Sequence, residues 1–330
     1  MKVLITGITG FVGGHLGQYI LGLEEGHEVY GLCRWRSPRE NIAGICHKIH
    51  AVEADLSDMG GLVRHLTSIR PDVIFHLAAQ SYVLTSFNTP VHTLSTNVIG
   101  TTNLLEAVRI VGIDPVIHVC SSSEVYGQVS EADVPIRESC PFRPASPYAV
   151  SKVGEDMIAY QYWVSYGMRT IRTRMFTHTG PRRGDVFAMS FFGKQIAAAE
   201  LGLAEPVIRV GNLQSVRTFC DVRDAVRAYW LLVNKCPAGE VYNIGGDRTM
   251  TIGACLDILL SCARVSCRTE IDPQLLRPSD VTLQIPCTDK FKNDTGWKPE
   301  IPLEKTLTDI LDYWRDELSR NPFKALTVAR

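Results

Sequence analysis

The first 23 residues constrain the fold most, because they join a short apolar segment to a glycine-rich turn and then to a helical pattern. Lys2–Thr6 is predicted to form a strand, the turn carries Gly7, Gly10 and Gly13, and residues 11–23 have helical periodicity. In such a unit, glycines let a pyrophosphate approach the free N–H groups at the helix N-terminus. The GxxGxxG spacing differs by one residue from GxGxxG, but its position after an N-terminal strand predicts the start of a dinucleotide-binding parallel sheet.

Strand-like and helical segments alternate over the first half of the chain and then lose this order. We predict strands at 28–32, 49–53, 72–77, 118–123 and 168–175, and helices at 59–69, 90–111 and 147–166. Beyond residue 176 we predict strands near 207–210 and 240–243, and helices near 187–200, 222–235, 251–262 and 303–318. This order predicts an α/β fold: a Rossmann-type doubly wound parallel sheet with a smaller mixed C-terminal substrate lobe. The expected boundaries are 1–176 for the cofactor-binding domain, with a returning segment near 212–245, and 177–330 for the lobe.

The bulk properties argue against several classes of protein. The formal net charge of −1 gives no electrostatic reason to bind nucleic acid or a membrane surface. No apolar run reaches the roughly 18 to 20 residues that a membrane-spanning helix needs, and Met1 leads straight into a strand, so no signal peptide is expected. The ten cysteines are scattered without a CxxC pair, which predicts reduced thiols in a cytoplasmic protein. The nine histidines lack ligand-like spacing, so no metal is expected.

Residues 119–152 contain the arrangement that is best suited to move protons. Tyr148 and Lys152 are four residues apart and so project from one face of a helix that Pro147 would begin. A free tyrosine titrates near about 10 and is a poor base at neutral pH. An adjacent ammonium and the positive charge of an oxidised nicotinamide ring would favour the phenolate, and a pKa shift of roughly three units would correspond to about 4 kcal/mol. Tyr148 is therefore predicted to transfer protons near neutral pH.

The predicted strand before this helix ends in a hydroxyl cluster that an acid follows. Ser122 can hydrogen-bond a substrate hydroxyl or a developing oxyanion, and Glu124 supplies a second acid or base. One base is enough for hydride transfer, so a second one indicates a further proton step. A YxxxK spacing alone also occurs by chance on amphipathic helices, but its combination with SSSE and the glycine turn favours a catalytic role.

The end of the second predicted strand indicates which nicotinamide cofactor would bind. An acid there usually binds the ribose 2′-hydroxyl of NAD, whereas an arginine accommodates the 2′-phosphate of NADP. The chain has Arg34 and Arg36 and no acid, which predicts NADP; the alternative is a solvated basic loop. Asp55 and Leu56 follow the third strand, where the adenine is expected.

Small and polar residues follow the fourth predicted strand. Ala78 and Ala79 would let the backbone lie close to the cofactor. Asn97, in the next helix, is either a functional anchor or a satisfied core polar group. Arginines beside turn residues in the second half suit a bidentate grip on a diphosphate, although each alone is more often a surface ion-pair partner. They are Arg182, Arg183, Arg217 and Arg277.

Five segments, GITGFVGGHL, LAAQS, SSSE, SPYAVSK and LRPSD, together resemble the extended short-chain dehydrogenase/reductase family of nucleotide-sugar-modifying enzymes over essentially the whole chain. Within that family the chain is most similar to the GDP-mannose 4,6-dehydratases and their sister GDP-4-keto-6-deoxymannose reductases. The resemblance implies a Rossmann domain that holds NADP, a C-terminal lobe that holds a GDP-sugar, and a sugar that lies over the nicotinamide. It implies redox-neutral 4,6-dehydration of GDP-mannose. The alternatives are the NADPH-dependent reductase, another nucleotide-sugar dehydratase or epimerase, and a catalytically silent NADP-binding regulator.

The resemblance also assigns roles to single residues. The positions that match the dehydratase Thr-Ser-Glu motif and its tyrosine and lysine are Ser122, Glu124, Tyr148 and Lys152. The segment RWRSPRENI resembles a loop that grips the 2′-phosphate and reaches toward a neighbouring subunit, so a homodimer or homotetramer is expected. Two positions depart from the pattern: Thr177 stands where both relatives usually have asparagine, and Phe191 stands where the dehydratase has a basic residue.

The motifs and the resemblance together define two sets of expected contacts. Cofactor contacts are expected at Gly7, Thr9, Gly10, Phe11, Val12, Arg34, Arg36, Asp55, Leu56, Leu77, Ala78, Ala79, Ser81, Tyr148, Lys152 and His178. Substrate contacts are expected at Ser81, Ser122, Glu124, Thr177, Arg183, Lys194, Arg217, Arg277 and Asp280.

Overall fold

One parallel sheet organises the molecule, whose computed structural model describes residues 1–276 and 280–326. The strands of these residues are β1 (Lys2–Thr6), β2 (Glu28–Cys33), β3 (Ile49–Glu53), β4 (Val73–His76), β5 (Val116–Ser122), β6 (Thr170–Met175), β7 (His178–Thr179), β8 (Val207–Val210), β9 (Val216–Asp221), β10 (Val241–Ile244), β11 (Arg248–Thr251), β12 (Arg268–Ile271) and β13 (Leu283–Gln284). Seven of them form the sheet, in the order β10-β6-β5-β4-β1-β2-β3, and every pair is parallel.

Helices cover both faces of this sheet. The helices are α1 (Phe11–Leu21), α2 (Met59–Ile69), α3 (Val83–Asn88), α4 (Pro90–Leu94), α5 (Gly100–Val111), α6 (Pro147–Tyr166), α7 (Ala188–Glu200), α8 (Val222–Lys235), α9 (Ile252–Ser261), α10 (Asp289–Thr295) and α11 (Leu303–Arg320). α1 and α8 pack on one face, where Leu16 and Trp230 share a core. α2, α5 and α6 cover the other face, around Leu66 and Leu104. The predicted α/β doubly wound fold is confirmed.

Strand β1 shows why these strands are apolar at nearly every position. Val3 and Ile5 belong to the core under α1 and α8, while Leu4 between them belongs to the core under α2, α5 and α6. All three side chains are buried. Because a parallel sheet covered on both faces offers no solvent-facing side, its strands are continuous apolar runs and do not alternate with polar residues.

The strand order reverses between β1 and β4, which opens a crevice at the carboxyl ends of these strands. Gly7 lies in the crevice with φ +72°, and a Cβ on it would come within 2.9 Å of the Cα of Ala78. Both the backbone conformation and the close approach therefore require glycine there. The glycine turn thus lies against the segment that follows β4.

The predicted helix 90–111 contains one irregular turn. A π-helical segment, Ser95–Ile99, joins α4 to α5 and carries the fully buried Asn97. The Asn97 amide accepts a hydrogen bond from the Gln80 N–H at 2.8 Å and donates to the Gln80 carbonyl at 3.0 Å. It also donates to Ser151 Oγ at 2.8 Å. Asn97 is therefore a satisfied core polar group, and its hydrogen bonds tie the segment after β4 to α6.

The smaller lobe has mixed sheets and three helices of its own. β7, β9, β11 and β13 form one sheet, β8 pairs with β12, and α7, α9 and α11 pack around a shared core. The chain returns to the main sheet through α8, which packs on α1, and β10, which pairs with β6. Within the expected returning segment of 212–245, β9 instead belongs to the sheet of the lobe.

Three features bear on the classes that the sequence argued against. All ten cysteines are unpaired thiols. Within residues 1–276 and 280–326, no helix combines the length and apolar character needed to cross a bilayer. In the same ranges, no group of three or more His, Cys, Asp or Glu side chains could hold a metal ion.

Candidate active site

A cavity of about 280 Å³ lies where the carboxyl ends of β5 and β6 face the smaller lobe. The main sheet and α6 contribute Ser122, Glu124 and Tyr148 to its wall. The smaller lobe and the loops that lead into it contribute the remaining predicted residues of the wall, which are Thr177, His178, Arg183, Arg217 and Asp280. Ser81, from the segment after β4, completes the set. The fold therefore brings together residues that lie up to 199 positions apart, from Ser81 to Asp280.

The start of helix α6 positions the Tyr–Lys pair. Ser146 caps the helix by accepting a hydrogen bond from the Ala149 N–H at 3.1 Å, and Pro147 occupies the first helical turn. Tyr148 and Lys152 are both buried on the face turned toward β5. The Lys152 Nζ lies 5.9 Å from the centre of the Tyr148 ring and donates to the Cys120 carbonyl at 2.9 Å. The predicted shared face of the two residues is therefore present.

The protonation states of this pair differ in part from the expectation. Burial raises the pKa of Tyr148 above its usual value, while the Lys152 ammonium and a hydrogen bond with Ser122 act to lower it. Lys152 acts in the predicted direction, but in the protein alone burial outweighs it. Burial also acts to lower the pKa of Lys152, yet the Glu155 carboxylate and Tyr148 raise it overall, so the amine stays charged at neutral pH.

The three serines after β5 have separate tasks. Ser121 Oγ donates to the Lys152 carbonyl at 3.0 Å and so ties the strand to α6. Ser123 Oγ donates to Gln284 Oε1 at 3.1 Å and ties the strand end to β13 of the smaller lobe. Ser122 Oγ accepts from the Glu124 N–H at 3.2 Å and lines the cavity. Ser123 also lines the cavity, so its wall offers two serines, of which Ser122 is the one predicted to contact a ligand.

Glu124 stands on a short 3-10 helix, Ser123–Tyr126, that begins directly after β5. Its side chain is half-buried and lines the same cavity as Ser122 and Tyr148. Because strand end, 3-10 turn and α6 are held together by the Ser121 and Ser122 hydrogen bonds, the hydroxyl, carboxylate and phenol face one space. This arrangement can exchange protons with two different atoms of one ligand.

Thr6 and His76 fix the chain segment that lines the crevice between β1 and β4. Thr6 Oγ1 accepts hydrogen bonds from the N–H groups of Leu77 and Ala78, both at 3.1 Å, and pairs with His76 Nδ1 at 2.9 Å. Burial lowers the pKa of His76 to about 3, so this ring is neutral. The segment from Leu77 onward is therefore fixed close to the glycine turn, as expected for a backbone that lies beside a cofactor.

The start of α1 is not capped by any side chain of the described residues. Gly10 caps this 11-residue helix without a side-chain hydrogen bond, and the first turn carries no acidic residue. Phe11 stacks on His178, with ring centres 6.0 Å apart and an interplanar angle of 8°. Burial lowers the pKa of His178 to about 3, which leaves this ring neutral. A helix N-terminus of this kind suits a phosphate group.

The basic segment after β2 is exposed to solvent. Arg34 and Arg36 are exposed, and the Arg36 guanidinium lies 4.2 Å from the centre of the Trp35 ring. Hydrogen bonds from Ser57, with a smaller contribution from Arg34, hold the pKa of Asp55 below its usual value. Arg34 and the Asp55 carboxylate therefore lie near each other at the ends of β2 and β3. Leu56, the neighbour of Asp55, is buried against Gly100.

Arg183 extends from the smaller lobe, and its guanidinium lies near the start of α1. Its guanidinium lies 4.0 Å from the centre of the Phe187 ring and 5.4 Å from that of Phe11, and it donates to the His178 carbonyl. Burial lowers the pKa of Arg183 to about 10, so the side chain is still charged at neutral pH. Its neighbour Arg182 instead donates to the Asn41 carbonyl and to Gln18, which makes it a strut between lobe and α1.

A polar cluster of the smaller lobe also lines the cavity. Asp280 Oδ2 accepts hydrogen bonds from Asn212 Nδ2 at 2.8 Å and from Ser215 Oγ at 2.9 Å. Arg217 Nη2 is 3.8 Å from Asp280 Oδ1 and also donates to the Val281 carbonyl. The predicted contact Arg277 lies outside the described residues. Asn212 and Ser215 also line the cavity and escaped prediction, because loop residues of a mixed lobe follow no period.

Lys194 does not lie in the cavity wall, although a substrate contact is predicted there. It projects from the buried face of α7, where its Nζ is 2.6 Å from Asp185 Oδ2 and 5.6 Å from the centre of the Trp314 ring. Thr177 lines the cavity, and its carbonyl accepts from the Cys220 N–H at 2.9 Å. Phe191 also lines the wall, so an aromatic face replaces the basic group expected of a dehydratase.

The fold and cavity define a class: an extended short-chain dehydrogenase/reductase, with a nucleotide-binding turn, a Tyr–Lys pair on one helix and a second lobe over the strand ends. Within this class the chain belongs to the family described as GDP-mannose 4,6 dehydratase, whose model matches residues 4–310.

Curated relatives include two kinds of enzyme. A GDP-mannose 4,6-dehydratase of Yersinia enterocolitica is 34% identical over 350 residues, covering 94% of this chain and 92% of the relative. A GDP-6-deoxy-D-mannose reductase of Pseudomonas aeruginosa is 33% identical over 317 residues, covering 96% of this chain and 98% of the relative. The resemblance to both enzyme families is therefore confirmed.

Solved structures agree with the fold. RMD from Pseudomonas aeruginosa, complexed with NADPH, superposes with a TM-score of 0.83 at 31% identity, covering 96% of this chain and 99% of that chain. UDP-glucose 4-epimerase from Thermotoga maritima, with UDP-glucose, superposes with a TM-score of 0.86 at 27% identity, covering 96% and 100%. The architecture of sheet and lobe is thus shared with enzymes that differ in their reaction.

Proposed function

We propose that the protein is an NADP-dependent GDP-mannose 4,6-dehydratase, a lyase that converts GDP-mannose to GDP-4-keto-6-deoxymannose. The observation that carries this proposal is Glu124, which lines the same cavity as Ser122 and Tyr148. A simple hydride transfer needs a single acid or base, whereas dehydration also needs a group that handles the C5 proton and the leaving C6 hydroxyl. The dehydratase relatives, at 30–34% identity over nearly the whole chain, support the same reaction.

The chain's own residues account for the proton steps. Tyr148 takes the proton of the C4 hydroxyl, and Ser122 hydrogen-bonds that oxygen as it becomes a carbonyl. The carbonyl acidifies C5–H, so Glu124 removes this proton and delivers it to the hydroxyl that leaves C6 as water. Tyr148 then gives the proton that it took from the C4 hydroxyl to C5, where it replaces the proton that left in the water. NADP, when bound, supplies the hydride chemistry by accepting hydride from C4 and returning it to C6.

Both ends of the crevice suit this cofactor. The start of α1, which has no side-chain cap, would hold the pyrophosphate, and the crevice beside Leu77 and Ala78 would take the nicotinamide side. Arg34 and Arg36 would hold the 2′-phosphate, which favours NADP over NAD because no acidic residue stands at the end of β2. Titration of the protein with each dinucleotide tests this preference, and equal affinity for NAD would contradict it.

The smaller lobe would hold the GDP-sugar. Arg183 and Arg217, which line the cavity, would pair with its diphosphate, and Asp280, which also lines it, would contact the ribose or base. Thr177 would replace the usual asparagine contact to the sugar. Arg277, from the resemblance alone, completes the proposed set.

A homodimer accounts for the apolar surface of α6 and its neighbours. Val150, Tyr160 and Val164 on α6 are 46%, 43% and 59% exposed, and Val91 on α4 is 75% exposed. Two such faces paired across a two-fold axis would remove these side chains from water. A tetramer follows if residues 34–46 reach a neighbouring subunit. We further propose a cytoplasmic location, consistent with ten unpaired cysteines.

The decisive experiment supplies purified protein with GDP-mannose and a catalytic amount of NADP. The proposal predicts a 4-keto-6-deoxy product without net accumulation of NADPH, because the hydride returns to the same sugar. Glu124→Gln is expected to lower this turnover by two to three orders of magnitude. Glu131→Gln, an exposed acid on the next 3-10 helix, is the matched control and should leave turnover unchanged.

The reductase is the second candidate, because the Pseudomonas reductase relative matches the chain over 96% of its length. It would show no turnover until a 4-keto sugar and stoichiometric NADPH are supplied, and Glu124→Gln would have little effect. A catalytically silent NADP-binding regulator would turn over neither substrate.

A further inference from the structure

A buried carboxylate lies directly beside the amine of the Tyr–Lys pair. Glu155 is on α6, three residues beyond Lys152, and only 1% of its surface is exposed. Its Oε2 accepts a hydrogen bond from Lys152 Nζ at 2.8 Å. Its Oε1 is buried and has no hydrogen-bond partner among the described residues. A buried carboxylate oxygen without a partner is costly, so the position calls for an explanation other than stability.

The three side chains form a stack along one face of the helix. Lys152 lies between Tyr148 and Glu155, and a third group, the Cys120 carbonyl, fixes its Nζ at 2.9 Å. The ammonium favours a Tyr148 phenolate, whereas an anionic Glu155 disfavours it. The net field at the phenol therefore depends on whether Glu155 carries its charge.

We propose that Glu155 is a positioning residue for the Tyr–Lys pair: it holds the Lys152 ammonium against β5, and its negative charge limits how strongly that ammonium favours the Tyr148 phenolate. This inference rests on the proposed function, because it assigns Tyr148 the proton-transfer step. It adds a third member to the pair from a residue that no sequence motif singled out.

The other titratable groups around α6 are either paired with other residues, neutral, or farther from the Lys152 ammonium than Glu155 is. Asp156, the next residue, is paired with Arg172 and Arg174 of β6. Burial lowers the pKa of His76 and of His118 to about 3, so both rings are neutral. The elements packed around α6 also carry Cys120, whose pKa burial raises, and the half-buried Glu124 and the buried Tyr126 of the turn after β5. Arg183 faces Tyr148 from the smaller lobe.

The charge of Glu155 can change in the working range of an enzyme. Burial raises the pKa of Glu155 to about 7, and the nearby Lys152 ammonium only partly opposes this. Below that pH the carboxyl is neutral and Lys152 acts on Tyr148 without compensation; above it the carboxylate offsets the ammonium. The titration of Tyr148 is therefore coupled to the titration of Glu155, which lies beneath the cavity.

The test compares Glu155→Gln, which removes the charge and keeps the shape, with Glu155→Asp, which keeps the charge on a shorter side chain. The phenolate of Tyr148 is titrated by ultraviolet difference spectroscopy, with Tyr148→Phe as the reference, in protein saturated with NADP. Glu155→Gln is expected to move the Tyr148 midpoint to lower pH by about one unit. Glu155→Asp should stay within a few tenths of a unit of the parent protein. The matched control is Glu106→Gln. Glu106 lies on α5 and accepts a hydrogen bond at 2.6 Å from Tyr162, which is farther along α6, so its loss should not shift the Tyr148 midpoint.

The outcomes separate this inference from the proposed function. The phenolate titration needs no turnover, so a shifted midpoint with no dehydration of GDP-mannose would sink the function and leave Glu155 in its role. An unchanged midpoint in Glu155→Gln would overturn the inference, as would an equal shift in Glu155→Asp or Glu106→Gln. Where turnover occurs, the rising limb of the kcat–pH profile should move with the phenolate midpoint. A uniform loss of kcat at every pH, with the limb in place, would mean a structural role only.

Discussion

Two neighbouring residues of α6 hold two buried ion pairs that are built differently. Asp156 uses both oxygens: Oδ1 pairs with Arg172 Nη1 at 3.0 Å and Oδ2 with Arg174 Nε at 2.8 Å. Glu155 uses one oxygen, which pairs with Lys152, and the other has no partner among the described residues. The first pair faces the sheet strand β6, and the second faces the layer beneath the cavity.

The difference separates a carboxylate that fixes structure from one that adjusts chemistry. Arg174 also donates to the Tyr126 hydroxyl at 3.0 Å and to the Glu138 carbonyl at 2.7 Å, so the Asp156 pair ties α6, β6 and the segment after β5 together. A buried carboxylate with all its partners gives one arrangement and a fixed charge. A buried carboxylate with one partner is more easily protonated, so its charge can change near neutral pH. Such a group can adjust the electrostatic field at a neighbouring proton-transfer residue.

The largest effect is expected on the cavity side of the helix, from Tyr148→Phe. The change removes the phenol that takes the substrate proton but keeps the ring, so kcat should fall by about a thousandfold or more. The free energy of unfolding should change by less than about 1 kcal/mol, because the hydroxyl faces a cavity. Steady-state kinetics and urea unfolding measure the two quantities. Turnover close to that of the parent protein would remove Tyr148 from the mechanism.

On the side of α6 that faces β6, Asp156→Asn should instead lower the stability of the protein and leave its catalysis unchanged. Removing this charge leaves Arg172 and Arg174 buried and uncompensated, so the free energy of unfolding should fall by about 3 kcal/mol. The protein that remains folded should keep the kcat–pH profile of the parent to within a few tenths of a unit, because Lys152, Glu155 and Tyr148 are untouched and Asp156 makes only the smallest contribution to the raised pKa of Glu155. A shifted profile with normal stability would show that the two pairs are not distinct.

The same helix also shows how far the sequence leads. Tyr148 and Lys152 could be predicted because an i, i+4 spacing fixes a shared helix face, and Ser122 because it ends an apolar strand. Glu155 could not, because a glutamate in a helix is ordinarily a solvated residue and nothing local says that this position faces β5. Its burial follows from the angle at which α6 packs on the sheet, which is a tertiary property.

The main sheet was predictable for a related reason. Its strands are apolar at successive positions and separated by helical patterns, so Lys2–Thr6 and Ile49–Glu53 have the bounds that the sequence indicated. The smaller lobe has strands of two to six residues, such as His178–Thr179 and Leu283–Gln284, which are too short to give a period. The cavity residues of that lobe, such as Asn212 and Ser215, are placed by those strands and so were missed.

An effect of similar size should appear in how stability depends on pH. Burial raises the pKa of Glu155 to about 7 from a usual value of 4.5, so the folded state binds this proton more tightly than the unfolded chain does. The contribution is fully present below pH 4.5 and is lost as pH rises through 7. The unfolding free energy of the parent protein minus that of Glu155→Gln should therefore fall by about 3 kcal/mol across this window. Urea unfolding at several pH values measures it, and a difference that rises with pH would contradict the sign.

The smallest effect is expected at Ser122, which links the cavity side of the helix to the strand. Ser122 lowers the pKa of Tyr148 through a hydrogen bond and accepts another from the Glu124 N–H at 3.2 Å. Ser122→Ala removes both, so the phenolate midpoint of Tyr148 should rise by a few tenths of a unit and kcat should fall about tenfold, as the loss of one hydrogen bond predicts. Ser121→Ala is the matched control, because its hydroxyl donates to a backbone carbonyl of α6: it should change stability and leave the midpoint alone. Equal behaviour of the two variants would mean that the field at Tyr148 comes from Lys152 and Glu155 without help from the strand.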